Sequence, residues 1–162
     1  MAATMVEFPT NGTTTTAYLA TPAAGKGPGV IVIQEWWGLV PHIKKVCDRF
    51  AAEGFTALAP DMYHGQTATE PDGAGKLFMA LNIAQAEKDL RGAAKYLAGQ
   101  SSSAKLGAVG FCMGGQLALF AATLNPGVDH AFFNDENTAA YNKAAADDAW
   151  KRTVAHFQTH LK

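Results

Sequence analysis

Apolar residues follow two patterns that alternate along the chain: short continuous runs and longer stretches with helical spacing. The runs at residues 30–33, 55–59 and 106–111 lie between turn-forming residues, which is typical of strands buried on both faces of a parallel sheet. The β-branched run that starts at Thr13 and continues to Leu19 predicts an earlier strand, and residues 6–8 predict a shorter one.

Helical spacing links these strands. Residues 41–53 predict a helix that begins at Pro41 and is stopped by Gly54. Further helices are predicted from Asn82, which is a plausible cap, to about Leu97, over residues 113–124, which are apolar nearly all round, and over residues 141–161. Residues 63–75 are predicted to form a loop. The alternation predicts one α/β domain spanning residues 1–162, with helices on both faces of a mostly parallel sheet.

Composition narrows the classes of partner. The 162 residues carry a net charge of −1, and no basic excess exists to neutralise a nucleic-acid backbone. The N-terminus lacks the pattern of a signal peptide, and the longest aliphatic run is far too short to cross a membrane. Two distant cysteines, Cys47 and Cys112, predict a reduced cytoplasmic protein without a metal site or cofactor.

The strongest chemical signal is the segment GFCMGG at residues 110–115, which follows a predicted strand and opens a predicted helix. This context is that of a nucleophile elbow, with cysteine in place of the usual serine. The residues two before and two after the nucleophile must be small, and they are Gly110 and Gly114. The helix N-terminus favours a thiolate at Cys112, and the amide of Met113 is expected to point at the oxyanion site.

A second group of candidates, QEWWG at residues 34–38, follows the predicted strand at residues 30–33. Ligand sites of open α/β sheets lie at this edge, so Glu35 is a candidate active-site acid. In the hydrolase plan this loop supplies the second oxyanion amide, that of Trp36. Trp36 and Trp37 are pocket candidates, although plain core packing is an open alternative. The glycines fit neither a dinucleotide nor a phosphate-binding loop, because their spacing differs and Gln116 follows Gly115.

Three stretches together resemble the dienelactone hydrolase family: GVIVIQEWWGLVPHIKKVCDRFAAEGFTALAPDMYHG, KLGAVGFCMGGQLALFAATLNPGVD and HAFFND with the helix after it. The resemblance implies an α/β-hydrolase-like three-layer sandwich that cleaves esters or lactones with a Cys-Asp-His triad. It makes Cys112 the nucleophile, His130 the general base and Glu35 the acid that holds the resting thiol. Phe132 of HAFFND is a further pocket candidate.

The chain departs from this family at the third triad member. A strand-helix-strand unit of about thirty residues or more should separate the nucleophile from the histidine, but Cys112 and His130 are only 18 positions apart. Asp129 is the sole acid between them, and as a direct neighbour it is poorly placed to orient His130. The fold is therefore predicted to be truncated in its C-terminal half. Three explanations of the short spacing are open. Either the sequence omits residues that the molecule has, or the chain is a shortened form that exchanges elements between subunits, or it is a degenerate relative that has lost the chemistry.

The same departure leaves two functions open. One is a hydrolase of a small ester or lactone, slowed by the missing acid; the other is a catalytically impaired remnant that binds a small ligand or a protein. The apolar strand at residues 106–111 is expected to lose its following neighbours, and an exposed sheet edge of this kind favours association with a second copy.

Overall fold

The computed structural model describes residues 1–124 and 143–161. These residues form five strands and five helices in the order β1 (Ala2–Pro9), β2 (Thr14–Thr21), β3 (Gly29–Ile33), α1 (Pro41–Ala52), β4 (Thr56–Pro60), α2 (Pro71–Ala80), α3 (Ile83–Gln100), β5 (Leu106–Gly110), α4 (Met113–Leu124) and α5 (Lys143–His160). Among them, no helix is long and apolar enough to span a membrane.

The strands form one mixed sheet in the order β1-β2-β4-β3-β5. β3 lies between β4 and β5 and pairs in parallel with both, while β1 and β2 extend the sheet by antiparallel pairing. Because β3 and β5 are parallel neighbours, their carboxyl ends meet at one edge of the sheet. The loops that carry QEWWG and GFCMGG both begin at this edge.

Alternate residues of β3 face the two apolar layers that enclose the sheet. Ile31 and Ile33 belong to a core with residues of α3 and α4, whereas Val30 and Val32 belong to a core with residues of α1 and α5. β3, β4 and β5 have five residues each, and all of these residues are buried, as the continuous apolar runs predicted. The α/β architecture with helices on both faces is therefore confirmed.

The structure confirms the predicted start of one helix and corrects the predicted end of one loop. Asn82 does cap α3, because its side chain accepts a hydrogen bond from the Gln85 N–H at 3.1 Å. The loop predicted at residues 63–75 is wrong in its last part, since α2 begins at Pro71. Two glycines in the first turns of α2 weaken the helical signal, but Ala74 is fully buried and fixes the helix against the core.

β5 pairs only with β3 among the described residues, as expected for the last strand of a shortened sheet. The expectation that the apolar faces of this strand are exposed is nevertheless wrong, because every β5 residue is buried. Helix α5 covers one face of the strand, and a β-carbon at Gly107 would lie 2.8 Å from the ring of Phe157. Association with a second copy through this edge stays a prediction.

Candidate active site

Cys112 occupies the turn between β5 and α4. Its φ of +54° is one of only three positive values among the described non-glycine residues. The turn is closed by two hydrogen bonds, from the Gly114 N–H to the Phe111 carbonyl at 2.8 Å and from the Gly115 N–H to the Cys112 carbonyl at 3.0 Å. The thiol is exposed at the N-terminus of α4. This left-handed backbone is the strain typical of an elbow that holds a side chain out into a site.

The two glycines of the turn are required by close backbone contacts. A β-carbon at Gly110 would collide with the carbonyl of Gly114, and one at Gly114 would lie 2.5 Å from the carbonyl oxygen of Gln34. The first contact explains why the turn can be so sharp. The second brings the start of α4 against the end of β3, so the GFCMGG turn and the QEWWG loop are direct neighbours.

The QEWWG loop begins with two buried polar side chains. Gln34 is fully buried, and its Oε1 accepts a hydrogen bond from the Met62 N–H at 3.2 Å. Glu35 is 6 % exposed. Trp36 and Trp37 are half-buried and meet edge to face with ring centroids 5.2 Å apart. The loop thus sets a carboxyl group and two aromatic rings beside the edge where Cys112 lies.

Tyr63 joins this site from the loop after β4, and sequence reasoning did not identify it. Its hydroxyl donates a hydrogen bond to the Met113 Sδ at 3.2 Å, and the residue is only 5 % exposed. Burial raises the pKa of Tyr63 to about 12, and a charge on the neighbouring Cys112 adds to the shift. The sequence carries no signal for this position, because Tyr63 reaches the site only through the pairing of β4 with β3.

Hydrogen bonds fix the loop that carries Tyr63. The Asp61 carboxylate accepts from the N–H of Tyr63 at 3.1 Å and from the N–H of Gly65 at 2.6 Å. His64 has a φ of +52°, and its Nε2 lies 3.0 Å from the Oδ2 of Asp89 on α3. Asp89 is fully buried and also accepts a hydrogen bond from the Thr15 hydroxyl at 2.6 Å. These contacts hold the loop against both β2 and α3.

His130 and Phe132, the two remaining site candidates, lie outside the described residues. The structure therefore brings together Cys112, Met113 and the loop that carries Glu35 and Trp36. Within residues 1–124 and 143–161, no group of three or more histidine, cysteine, aspartate or glutamate side chains is arranged to hold a metal ion.

The raised pKa of Tyr63 predicts a loss of stability at alkaline pH. The unfolded tyrosine loses its proton near pH 10 and the folded one near pH 12, so the contribution is complete below pH 10 and falls as the pH rises to 12. Thermal melts at pH 8 and pH 11 should show a smaller alkaline decrease in Tm for Tyr63→Phe than for the wild type. Equal decreases would contradict a buried, neutral Tyr63.

The family model for the dienelactone hydrolase family matches the chain at residues 15–129 and again at residues 123–161. The two matches together cover almost the whole chain and overlap at residues 123–129. The family pattern is thus present in two pieces that meet just after α4.

Individual relatives agree with this match. The chain is 33 % identical to "Protein usf" of Aquifex pyrophilus over 232 positions, covering 97 % of this chain and 98 % of that protein. It is 30 % identical to the "Putative carboxymethylenebutenolidase" of Aquifex aeolicus over 233 positions, covering 98 % and 99 %. The crystal structure of the "Putative Dienelactone Hydrolase" from Klebsiella pneumoniae superposes with a TM-score of 0.79 at 23 % identity, covering 98 % and 99 %, which supports the fold.

The alignment lengths also show what this chain lacks. An alignment of 232 positions exceeds the 162 residues of the chain by 70, so at least 70 positions of the Aquifex pyrophilus relative have no counterpart here. The two family matches meet between residues 123 and 129, which indicates that the missing positions belong there.

Proposed function

Because the chain belongs to the dienelactone hydrolase family of ester and lactone hydrolases, we propose that it cleaves a small ester or lactone through a thioester on Cys112. One observation carries the proposal. An exposed cysteine with a φ of +54° lies at the N-terminus of a buried helix, at the carboxyl edge of the sheet. A structural cysteine needs neither the exposure nor the strain, whereas a nucleophile needs both.

In the proposed reaction, the Cys112 thiol gives its proton to His130, and the resulting thiolate attacks the carbonyl carbon of the ester to form a tetrahedral intermediate. Collapse of this intermediate breaks the bond to the alcohol oxygen, and the leaving alkoxide takes a proton from His130. Water then attacks the thioester while His130 accepts its proton, and the carboxylic acid and the thiolate are released. No cofactor is needed for either half of the reaction.

The negative charge of the intermediate requires hydrogen-bond donors. The proposed donors are the backbone N–H groups of Met113 and Trp36. The close contact between Gly114 and the end of β3 supports this pairing. Glu35, buried in the same loop, is the proposed partner of the resting thiol before substrate displaces it. Trp37 and Phe132 remain proposed pocket residues.

The acyl-enzyme is the intermediate that distinguishes this function. Mixing the protein with a p-nitrophenyl ester at neutral pH and quenching within seconds is expected to add one acyl group to the intact mass. Peptide mapping should place this group on Cys112. Cys47 provides an internal control, because it is fully buried and its burial raises the pKa of its thiol.

Two results would contradict the proposal. An acyl group on Cys47, or on both cysteines equally, would indicate unfolding or nonspecific acylation. An unmodified protein that still binds the ester would favour the other function, a remnant that binds a small ligand without cleaving it.

A further inference from the structure

A cavity of about 400 Å³ opens beside the start of α4. It is lined by Phe78 and Met79 of α2, by Leu81 and Ile83 at the junction of α2 and α3, and by Met113, Gln116 and Leu117 of α4. Its volume is at the lower end of the range of cavities that bind small molecules. Seven described residues line it; six of them are apolar, and the seventh, Gln116, is uncharged.

The cavity lies next to the proposed catalytic elbow. Met113 follows Cys112 directly, and Met113, Gln116 and Leu117 share one face of α4 by their spacing of three and four residues. This face offers a path into the cavity for a group that extends from a carbonyl held at Cys112. Tyr63 closes the other side of Met113 through its hydrogen bond to the Sδ.

Exposed apolar side chains concentrate at the mouth of this cavity. Phe78, Met79 and Ile83 are 39 %, 82 % and 55 % exposed, and among the described residues only Met1 and Met5 are other large apolar side chains with comparable exposure. Such a cluster beside a reactive thiol is typical of a surface that binds an apolar ligand.

The positive charges of the arginines lie away from this cavity. The chain has three arginines, and they contact other partners: Arg49 lies 4.2 Å from the ring centre of Trp150, and Arg91 and Arg152 form ion pairs with Glu87 and Asp148 on their own helices. Within residues 1–124 and 143–161, none of them and no other charged residue lines the cavity. A carboxylate placed there would lose its hydration without gaining a counter-ion.

We infer that this cavity binds the apolar chain of a neutral ester, so that the substrates are uncharged esters of medium-length acids rather than esters that carry a free carboxylate. The inference rests on the proposed function and narrows its substrate class. Each methylene that enters the cavity should raise kcat/KM by about twofold to fourfold.

The test compares p-nitrophenyl acetate, butanoate and hexanoate with the mono-p-nitrophenyl ester of adipic acid, which has the length of the hexanoate ester and a terminal carboxylate. We expect kcat/KM to rise from acetate to hexanoate and to fall at least about tenfold from hexanoate to the adipate ester. Met79→Lys should lower the hexanoate-to-acetate ratio about fivefold. Met5→Lys is the matched control, because Met5 is an exposed methionine on β1 outside the cavity, and it should leave the ratio unchanged.

A binding measurement separates this inference from the proposed function. In a Cys112→Ala background the hexanoate ester binds without forming a thioester, so its Kd can be followed by tryptophan fluorescence. A weaker Kd after adding Met79→Lys would support the cavity even if the wild type cleaved no ester, and only the proposed function would then fail. A flat chain-length profile, or a ratio and Kd that Met79→Lys does not change, would overturn the inference while leaving ester cleavage intact.

Discussion

Replacing Cys112 with alanine is expected to lower kcat/KM for activated esters by about 10²-fold and to abolish the acyl-enzyme. In serine proteases with a full triad, loss of the nucleophile costs about 2 × 10⁶ in kcat and disabling the acid costs about 10⁴. If the proposed base His130 works without an orienting acid, the ratio of these two factors leaves about 10²-fold for the nucleophile. Initial rates with p-nitrophenyl acetate, corrected for spontaneous hydrolysis, measure the effect.

Cys47→Ala is the control for this experiment. It removes the second thiol of the chain at a fully buried position of α1, so it should lower Tm without reducing the esterase rate of the folded protein. A Cys112→Ala protein that hydrolyses the ester as fast as the wild type would show that Cys112 is not the nucleophile. A loss of 10⁴-fold or more would show that another group orients the base as well as a triad acid does.

Gly110→Ala is expected to destabilise the fold by about 3 kcal/mol or more, because the added β-carbon meets backbone atoms on two residues. It would collide with the carbonyl of Gly114 and lie 2.7 Å from the N atom of Gly115. Backbone of the first turn of α4 cannot yield without opening the elbow. For a protein of this size, Tm should fall by roughly 6–12 °C, as measured by circular dichroism.

Gly99→Ala tests whether the cost belongs to the elbow rather than to glycine replacement in general. Gly99 lies in α3, and a β-carbon there would have no atom within 4 Å outside its immediate neighbours. Alanine should stabilise this helix by roughly 0.5–1 kcal/mol. If Gly110→Ala melted within a degree or two of the wild type, the tight turn described around Cys112 would be incorrect.

The sequence predicted the parts of the fold that depend on local pattern. The apolar run at residues 30–33 predicted a strand covered by helices on both faces, because such a strand is apolar at every position. The elbow was equally predictable, since Gly110 and Gly114 are the small residues that a sharp strand-to-helix turn requires two positions before and two positions after Cys112.

Contacts between distant parts of the chain were beyond the sequence pattern. Asp89 looks like a solvent-facing charge on α3, yet it is fully buried by partners 74 and 25 positions away, Thr15 and His64. Tyr63 belongs to the site only because β4 lies next to β3 and delivers its loop to the same edge. Periodicity describes one element at a time, so neither pairing could be predicted from it.

Helix α5 is held on the core by contacts that do not involve the shortened connection between α4 and α5. Phe157 packs on Phe50 and Phe55, with ring centroids 6.2 Å apart in both pairs, and it also covers Gly107. These anchors all precede residue 111, so the contacts that dock α5 lie outside the 18 positions between Leu124 and Lys143.

The entropy lost on bringing the two ends of this connection together is smaller when the connection is shorter. Counted as unstructured chain, a connection longer by 70 positions would cost about 1.4 kcal/mol more closure entropy. The contacts that hold α5 on the core remain in the shortened chain, so we expect the effect of the shorter connection to fall on turnover, because the proposed base His130 lies within it.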